Sequence, residues 1–218
     1  MRYRLIAFDL DGTLLNTLGD LTYAVNETMK AFGYPTRTRE EVRSFIGDGI
    51  QMLLRRCVSP NAYSDELIKI FKEVYASHCQ DTTAPYEGII PLLASLKERG
   101  VKLAVLSNKA DFATKKLVKA YFGDYITLAV GENEAAGVRK KPAPDALFSV
   151  MREMSVTAKE TLYVGDSEVD ILTAKAAGVE CVSVLWGFKE EEFLRENGAT
   201  TLISQPMQLL EYLDERAE

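Results

Sequence analysis

Two aspartates, Asp9 and Asp11, follow directly after a short hydrophobic run near the start of the chain. Their spacing, i and i+2, places both side chains on the same side of an extended segment. Two carboxylates this close repel each other, and a Mg²⁺ ion, which prefers oxygen ligands, would relieve the repulsion. One carboxylate can then attack a phosphorus atom while the other exchanges a proton with the leaving oxygen. An Asp-x-Asp pair alone is also typical of a solvated turn, so this prediction depends on the rest of the chain.

Three further polar segments follow hydrophobic runs or open helical patterns later in the chain. They are residues 107–109, 140–142 and 165–170. Hydrophobic runs alternate there with helical patterns, which predicts a parallel sheet covered by helices on both faces. Ligands of such sheets bind outside the carboxyl ends of the strands. We therefore expect these segments to meet Asp9 and Asp11 in one crevice.

The three segments supply the other groups that phosphoryl transfer needs. Asp166 offers a further oxygen ligand for a metal, and Lys141 offsets the charge of a phosphate. Ser107 and Asn108 can hydrogen-bond the phosphoryl oxygens. The same two residues are typical helix N-caps, and we expect them also to cap the helix that follows.

The hydrophobic periodicity predicts the elements that position these groups. Strands are expected at residues 5–10, 101–106, 126–130, 161–164 and 181–185 and near residue 202. Helices are expected at residues 89–99, 112–122, 143–154, 171–177 and 207–213. Residues 17–82 show helical periodicity, with a capping box at residues 38–41. The sequence thus predicts an α/β core of residues 1–16 and 83–218, a doubly wound parallel sheet, with an inserted all-helical cap of residues 17–82 joined by two hinges.

Taken together, the polar segments resemble the four motifs of the haloacid dehalogenase superfamily, in the same order. The matching stretches are Phe-Asp-Leu-Asp-Gly-Thr-Leu at 8–14, Leu-Ser-Asn-Lys at 106–109, Lys-Pro at 141–142, and Val-Gly-Asp-Ser-Glu-Val-Asp at 164–170. The resemblance covers essentially the whole chain. It implies a Rossmann-like core, and the insert stands where that superfamily carries a helical cap.

The resemblance also implies a role for each matching residue. Asp9 would be the nucleophile and a Mg²⁺ ligand, and Asp11 the acid/base, which gives the metal its backbone carbonyl. Asp166 would be the other metal ligand, with Asp170 supporting it. Lys141, which precedes proline as in the family pattern, would hold the phosphoryl group.

Within the superfamily, the chain is most similar to phosphoglycolate phosphatases and to members that hydrolyse pyrophosphate or nucleotides. We therefore expect Mg²⁺-dependent hydrolysis of a small phosphate compound through an aspartyl phosphate, with a phosphoglycolate-like monoester favoured. A sugar phosphomutase uses the same residues, so this activity remains an alternative. A dehalogenase is disfavoured, because it needs neither an acid such as Asp11 nor a metal ligand such as Asp166. A non-catalytic binding protein would be expected to lack at least one of the four key residues, Asp9, Asp11, Lys141 and Asp166, and the chain has all of them.

Within the predicted cap, the sequence leaves several roles open. Gly47, Asp48 and the following glycine either break a helix or touch the substrate. Arg55 could reach a substrate carboxylate, although a solvated helix face is the more common setting. The single histidine, His78, is expected at the surface, and Trp186 is expected to pack at a strand end rather than to stack on a base.

The amino-acid composition limits the classes of partner that the protein can bind. The 218 residues carry a net charge of −6, and their lysines and arginines are scattered, which argues against nucleic acid or an anionic membrane. The apolar stretches fall short of the ~20 residues that a membrane span needs. The three widely spaced cysteines fit neither a disulfide framework nor a zinc site, and the chain begins without a signal-peptide pattern. We expect a cytoplasmic enzyme, monomeric or homodimeric, acting on a small phosphorylated substrate.

Overall fold

Eight β-strands occur in the part of the chain that the computed structural model describes, which is residues 2–133, 137 and 139–216. They are β1 (Leu5–Phe8), β2 (Leu15–Asn16), β3 (Ala84–Pro85), β4 (Lys102–Ala110), β5 (Leu128–Glu132), β6 (Thr161–Gly165), β7 (Glu180–Val184) and β8 (Leu202–Ile203). Six of them form one parallel sheet in the order β5-β4-β1-β6-β7-β8. From the central β1 the chain builds one half of the sheet and then returns to build the other. This confirms the predicted doubly wound α/β fold.

Ten α-helices accompany the strands in the same described ranges. They are α1 (Leu18–Ala31), α2 (Arg39–Phe45), α3 (Ile50–Cys57), α4 (Asp65–His78), α5 (Ile89–Glu98), α6 (Asp111–Phe122), α7 (Asp145–Glu153), α8 (Glu168–Ala177), α9 (Glu191–Glu196) and α10 (Gln208–Asp214). No helix in this part of the chain combines the length and the apolar character that a bilayer crossing requires.

Alternate side chains of β1 enter two separate hydrophobic cores. Ile6 and Phe8 lie in the core that contains α5 and α10, whereas Leu5 and Ala7 lie in the core that contains α7 and α8. All four side chains are almost completely buried. A strand that is buried on both faces needs a continuous apolar run, which explains why the sequence of β1 does not alternate.

Between β2 and β3 the chain is helical, as predicted. Thr38 caps α2 through a capping box with Glu41, which stabilises the helix start. In α1, the side chains at i, i+4 and i+8 (Leu21, Val25 and Met29) form the buried stripe that the periodicity predicts. The exact domain boundaries at residues 16/17 and 82/83 stay a prediction.

The two connections to this helical segment are tied to each other. β2 and β3 pair in antiparallel fashion, so the outgoing and returning chains run side by side. Just beyond this ribbon, the buried carboxylate of Asp20 accepts hydrogen bonds from the backbone N–H groups of Thr82 (2.8 Å) and Thr83 (3.0 Å). The predicted hinges thus coincide with a short ribbon that the sequence analysis did not include.

Two local predictions were wrong. Ser107 and Asn108 do not cap α6, because β4 continues to Ala110, which pairs with Glu132, and Ala110 itself is the N-cap. Ser107 and Asn108 therefore lie within β4, whereas the sequence pattern predicts that this strand ends at residue 106. Helix α8 begins three residues earlier than predicted, because a capping box between Ser167 and residue 170 starts it.

Away from the polar edge of the sheet, Glu180 ties together elements that are distant in the sequence. Its carboxylate accepts hydrogen bonds from the hydroxyl groups of Tyr3 and Tyr212, and it forms an ion pair with Arg2. Burial by itself raises the pKa of Glu180, but the hydrogen bonds from Tyr212 and Tyr3 outweigh it and hold the pKa below its usual value. The ionised form of this residue therefore stabilises the fold.

We expect Glu180→Gln to lower the free energy of unfolding at pH 7 by about 1–3 kcal/mol, the usual worth of hydrogen bonds to a charged group. Because the folded pKa lies below the unfolded value of ~4.3, this contribution is present above that pH and is lost as the pH falls through the folded pKa. Urea unfolding of both proteins at neutral and acid pH measures the difference. Glu87→Gln, at an exposed residue, is the control, and a gap that stays constant down to acid pH would contradict the assignment.

Candidate active site

The carboxyl ends of three neighbouring strands bring the predicted site residues together. Asp9 follows β1, Ser107 lies in the last part of β4, and Asp166 follows β6. Lys141, from the segment before α7, completes the group, and all of these residues line one cavity with Asp11. The predicted convergence of the four sequence segments is therefore observed.

Lys141 is the centre of this arrangement. Its Nζ lies 2.8 Å from Asp9 Oδ1, 2.7 Å from Asp170 Oδ1 and 3.1 Å from the hydroxyl oxygen of Tyr163. Only 3% of its side chain is exposed. The neighbouring Lys140 points elsewhere and donates to the backbone oxygen of residue 48 at 3.3 Å. The choice of Lys141 over Lys140 agrees with this geometry.

The carboxylates around Lys141 outnumber it. Oxygen atoms of Asp9, Asp166 and Asp170 lie within 4.8 Å of one another, and all three residues are buried. Burial raises the pKa of Asp9 to about 7 even though Lys141 opposes the shift. Burial, followed by the charges of Asp9 and Asp170, also raises the pKa of Asp166 well above its usual range. One cation among three buried carboxylates leaves an excess of negative charge.

That excess is what a hard divalent cation neutralises. The donors are carboxylate oxygens, the ligands that Mg²⁺ prefers, and they are close enough to share one ion. Two of them, Asp9 and Asp166, are predicted metal ligands, and the third, Asp170, was expected only to support them. The donor set therefore fits the expected Mg²⁺.

Gly12 makes room for Asp166. A Cβ atom at Gly12 would lie 2.2 Å from Asp166 Oδ2, and the backbone there has a φ of +86°. Both facts exclude a larger residue. Asp166 is fixed from its other side by the backbone N–H of Phe188, which donates to Oδ2 at 2.7 Å. The Gly that follows Asp11 in the first motif thus allows the first and fourth motifs to approach closely.

The side chain of Asp11 contacts a second set of polar side chains, different from the set around Lys141. Its Oδ1 accepts a hydrogen bond from Thr17 Oγ1 at 2.6 Å, and Lys109 Nζ lies 2.8 and 2.9 Å from its two oxygens. Lys109 is as buried as Lys141, with 3% of its side chain exposed. Burial lowers the pKa of Lys109, but Asp11 overrides this effect and the pKa is raised. Asp9 and Asp11, two residues apart, therefore have separate lysine partners.

Sequence reasoning missed the roles of Lys109 and Thr17. Lys109 stood in the second motif without an assigned role, and Thr17 was only the first residue of the predicted cap, at the end of a hinge. The one available signal was that Lys109 follows directly after the polar pair of a strand end. Pairing with Asp11 across 98 positions is decided by the sheet order, which puts β4 beside β1.

Asn108 connects three parts of the site. Its Nδ2 donates to the backbone oxygens of Gly47 (3.1 Å) and Lys141 (3.0 Å), and its Oδ1 accepts from the backbone N–H of Lys141 at 2.8 Å. Both amide hydrogens are therefore engaged within the protein. Ser107 Oγ accepts from the backbone N–H of Lys109, which leaves its own hydrogen available. Of the two predicted phosphate donors, Ser107 is the freer one in this structure.

The residues of the helical segment whose roles the sequence leaves open fall into two groups, those that line the cavity and those that do not. Gly47 and Gly49 line the cavity, so this loop contacts the site as well as interrupting the helices. Asp48 instead pairs with Arg56, and Arg55 stacks on the ring of Tyr63 at 4.0 Å from its centroid. Arg55 thus belongs to a helix face away from the substrate.

Two residues outside the motifs lie as predicted. His78 is partly exposed at the end of α4, beside Asp81. Trp186 packs against the core and donates from Nε1 to the backbone oxygen of Thr13 at 2.9 Å, which is a structural contact.

The site opens into a cavity of about 760 Å³, counted with its mouth to solvent, between the sheet edge and helices α1, α3 and α4. The wall opposite the sheet is mainly apolar. Its lining side chains are Leu21, Ile46, Ile50, Leu53, Phe71 and Tyr75. A polar, charged floor therefore faces an apolar roof.

Residues 6–184 match the family model described as haloacid dehalogenase-like hydrolase. The chain belongs to this family. It is 35% identical over 225 residues to phosphoglycolate phosphatase 1 of Pseudomonas aeruginosa, covering 99% of this chain and 81% of that protein. It is 31% identical to the phosphoglycolate phosphatase of Aquifex aeolicus, covering 97% of both. These relatives, together with the family, mark the chain as a phosphatase.

The family fold is also found in solved structures. One from Lactobacillus delbrueckii, provisionally named a phosphoglycolate phosphatase, has a TM-score of 0.88 and 33% identity, covering 96% of this chain and 97% of its own. The similarity extends over the helical segment as well as the sheet. The haloacid dehalogenase-like fold predicted from the four motifs is thus confirmed.

Lys141 and its neighbour provide a matched pair of variants. We expect Lys141→Met to lower the free energy of unfolding by about 3–5 kcal/mol, because it leaves buried carboxylates without their cation. Lys140→Met, one residue earlier, should change it by about 1 kcal/mol or less, because it removes one hydrogen bond of a half-buried lysine. Urea unfolding at pH 8 in a metal chelator measures both. Equal effects of the two substitutions would contradict the central position of Lys141.

Proposed function

We propose that this phosphatase is a Mg²⁺-dependent hydrolase of a small phosphomonoester, of the phosphoglycolate type, which acts through an aspartyl phosphate on Asp9. The observation that carries the proposal is the separation of two neighbouring carboxylates. Asp9 lies with Lys141 in the buried acidic cluster, whereas Asp11 lies with Lys109 and the hydroxyl group of Thr17. Two carboxylates in different environments are suited to two different roles, nucleophile and acid/base.

Asp9 is the group suited to attack. It is nine-tenths or more buried, it lines the cavity, and Lys141 contacts one of its oxygens and leaves the other free of that ion pair. In the proposed first step, a free oxygen of Asp9 forms a bond to phosphorus as the bond to the leaving oxygen breaks. Lys141 stays beside the phosphoryl group and offsets its charge.

Asp9, Asp166 and the backbone carbonyl of Asp11 would hold the Mg²⁺, with Asp170 beside them. When bound, the ion offsets the charges of the carboxylates and of the phosphoryl group, so that an anionic nucleophile can approach an anionic substrate. This assignment rests on the acidic cluster and on the chemistry of its donors.

Asp11 exchanges the proton. In the first step its carboxyl group donates a proton to the leaving oxygen, and in the second it takes one from the water that attacks the aspartyl phosphate. Three contacts from donors hold its side chain in place here, two from Lys109 and one from Thr17.

The substrate class comes from the relatives. Those of Pseudomonas aeruginosa and Aquifex aeolicus are named phosphoglycolate phosphatases. A cavity between the sheet edge and helices α1, α3 and α4 suits a small substrate. A sugar phosphomutase with the same residues would transfer the phosphoryl group to a second sugar hydroxyl instead of water.

Phosphate release tests the proposal directly. The wild-type protein should release phosphate from 2-phosphoglycolate with Mg²⁺ and lose activity in a chelator. Asp9→Asn should lower the rate by about 10³-fold or more, because it removes the nucleophile. Asp81→Asn, on the surface beside His78, is the control. An Asp9→Asn protein with full activity would exclude the mechanism, and release that requires an added sugar acceptor would favour the mutase.

Leaving-group dependence tests the role of Asp11. We expect Asp11→Asn to lower the rate with an alkyl phosphate about 10²–10⁴-fold, because alkoxide departs poorly without a proton. With p-nitrophenyl phosphate, whose leaving group departs as the anion, formation of the phosphoenzyme should be affected much less. Rapid-mixing measurement of the nitrophenolate burst separates this step from hydrolysis. Asp9→Asn serves as the comparison, since it should lose activity toward both substrates equally. If Asp11→Asn lowers the rate of the nitrophenolate burst by as large a factor as it lowers the rate with the alkyl phosphate, Asp11 is excluded as the acid.

A further inference from the structure

A single peptide group lies between the helical segment and the acidic cluster. It joins Gly187 to Phe188, in the loop that follows β7. Its N–H, on Phe188, donates to Asp166 Oδ2 at 2.7 Å. Its carbonyl oxygen, on Gly187, accepts a hydrogen bond from Nη2 of Arg43, a residue of α2, at 3.2 Å. Two hydrogen bonds through one planar unit thus connect an arginine of the helical segment to a predicted metal ligand.

The surroundings of this peptide group leave it little freedom. A Cβ atom at Gly187 would lie 2.3 Å from Asp166 Cβ and 2.6 Å from the backbone oxygen of Gly12. The loop therefore approaches both the first and the fourth motif so closely that a larger residue is excluded. Since the N–H of the peptide holds Asp166, a tilt of the peptide group changes the direction of the bond that orients this carboxylate.

Arg43 makes two contacts, and they differ in what they reach. The same nitrogen forms an ion pair with Glu190 at 3.0 Å. Glu190 is largely exposed, and exposed ion pairs contribute little to stability. The ion pair holds the guanidinium group beside the loop, whereas the bond to Gly187 continues to Asp166. A donor at the carbonyl oxygen polarises the peptide group and strengthens the hydrogen bond that its N–H donates.

We infer that Arg43 is a positioning residue of the metal site, which orients the 187–188 peptide group and, through it, the carboxylate of Asp166. Removing a group that hydrogen-bonds directly to a metal ligand typically costs about 10–100-fold in metal affinity. Arg43 acts one hydrogen bond further away, so its effect is smaller. Because Arg43 belongs to the helical segment, metal binding and the packing of that segment on the loop favour each other. The inference rests on the proposed function, which makes Asp166 a ligand of Mg²⁺.

Calorimetric titration with MgCl₂ alone, without substrate, tests this role. In Arg43→Met, the dissociation constant for Mg²⁺ should rise about 3–10-fold, the usual effect of losing one hydrogen bond. The loss of a positive charge near a cation site would by itself act in the opposite direction and strengthen binding. The sign of the change therefore separates a positioning role from a simple charge effect. At saturating Mg²⁺, kcat for 2-phosphoglycolate should stay within about twofold of the wild-type value, because the ion restores the site.

Two matched variants separate the route through the peptide group from other effects. Arg39→Met removes an exposed arginine from the same helix. Lys116→Met removes a different contact between α6 and the helical segment, the 2.8 Å hydrogen bond from Nζ to the backbone oxygen of Ala76. Each should change the dissociation constant for Mg²⁺ less than about twofold, because neither residue contacts the loop. If Lys116→Met weakens Mg²⁺ binding as much as Arg43→Met, the effect is a general loosening of the helical segment, and the inference is wrong.

The remaining outcomes separate the inference from the proposed function. If the wild-type protein binds Mg²⁺ and Arg43→Met binds it equally well or more tightly, the role of Arg43 is wrong while the proposed function stands. If the wild-type protein releases phosphate without binding Mg²⁺, the metal assignment and the inference are both wrong. Thermal unfolding in a chelator should be the same for Arg43→Met and the wild type, since Arg43 is partly exposed and methionine favours a helix about as well as arginine.

Discussion

The ammonium group of Lys141 among buried carboxylates is the interaction on which the site depends. It contacts Asp9 and Asp170 directly and lies with them at the carboxyl ends of the central strands. Removing such charges from water is expensive, and a cation in direct contact is what offsets the cost. The compensation is incomplete, since three carboxylates share one lysine. A metal ion would offset this shortage of positive charge, and buried charged groups with shifted pKa values are common at functional sites.

Asp170 links this electrostatic arrangement to the fold. One of its oxygens contacts Lys141, and the other accepts hydrogen bonds from the backbone and side chain of Ser167 at the start of α8. Asp170, which completes the capping box at the start of α8, therefore also orients Lys141. Asn108 acts in a similar way, because its amide joins the backbone of Lys141 to the loop at Gly47. The active groups are held by the same contacts that close the helical segment over the sheet.

Asp11 is connected to the helical segment on two sides. Thr17, just before α1, donates to its carboxylate, and Lys109, which holds it from the sheet, lies against the ring of Tyr75 on α4. The two ends of that segment are joined through the short ribbon of β2 and β3 and through Asp20. Any movement of these helices relative to the sheet must therefore change the surroundings of Asp11.

Much of the architecture could be predicted from local patterns. Apolar runs bounded by polar residues located the six strands of the main sheet, and helical periodicity located the helices between them except α9, which was not predicted. Of the two wrong boundaries, one arises because a tertiary contact extends a strand, and the other because a local capping box starts a helix early. β4 continues through Ser107 and Asn108 because Ala110 still finds a partner in β5, and that pairing has no local signal. Helix α8 starts early because Ser167 and Asp170 cap it, a local signal that the predicted start at residue 171 leaves out.

The sequence by itself determined which chemistry is available, because the types and order of the motif residues already contain two carboxylates, a lysine and a third strand-end aspartate. It also determined the family, since the motif order follows the order of the strands. Only the tertiary structure decided the pairing of Asp9 with Lys141 and of Asp11 with Lys109. Lys109 lies on β4, which is beside β1 in the sheet, and Lys141 lies in the segment before α7, so both lysines are distant in the chain from the aspartates that they contact. It likewise decided that Tyr75, a periodic apolar position in a helix, lines the cavity and lies beside Lys109. Helical periodicity reports which face of a helix is buried, and it does not report which surface that face is buried against.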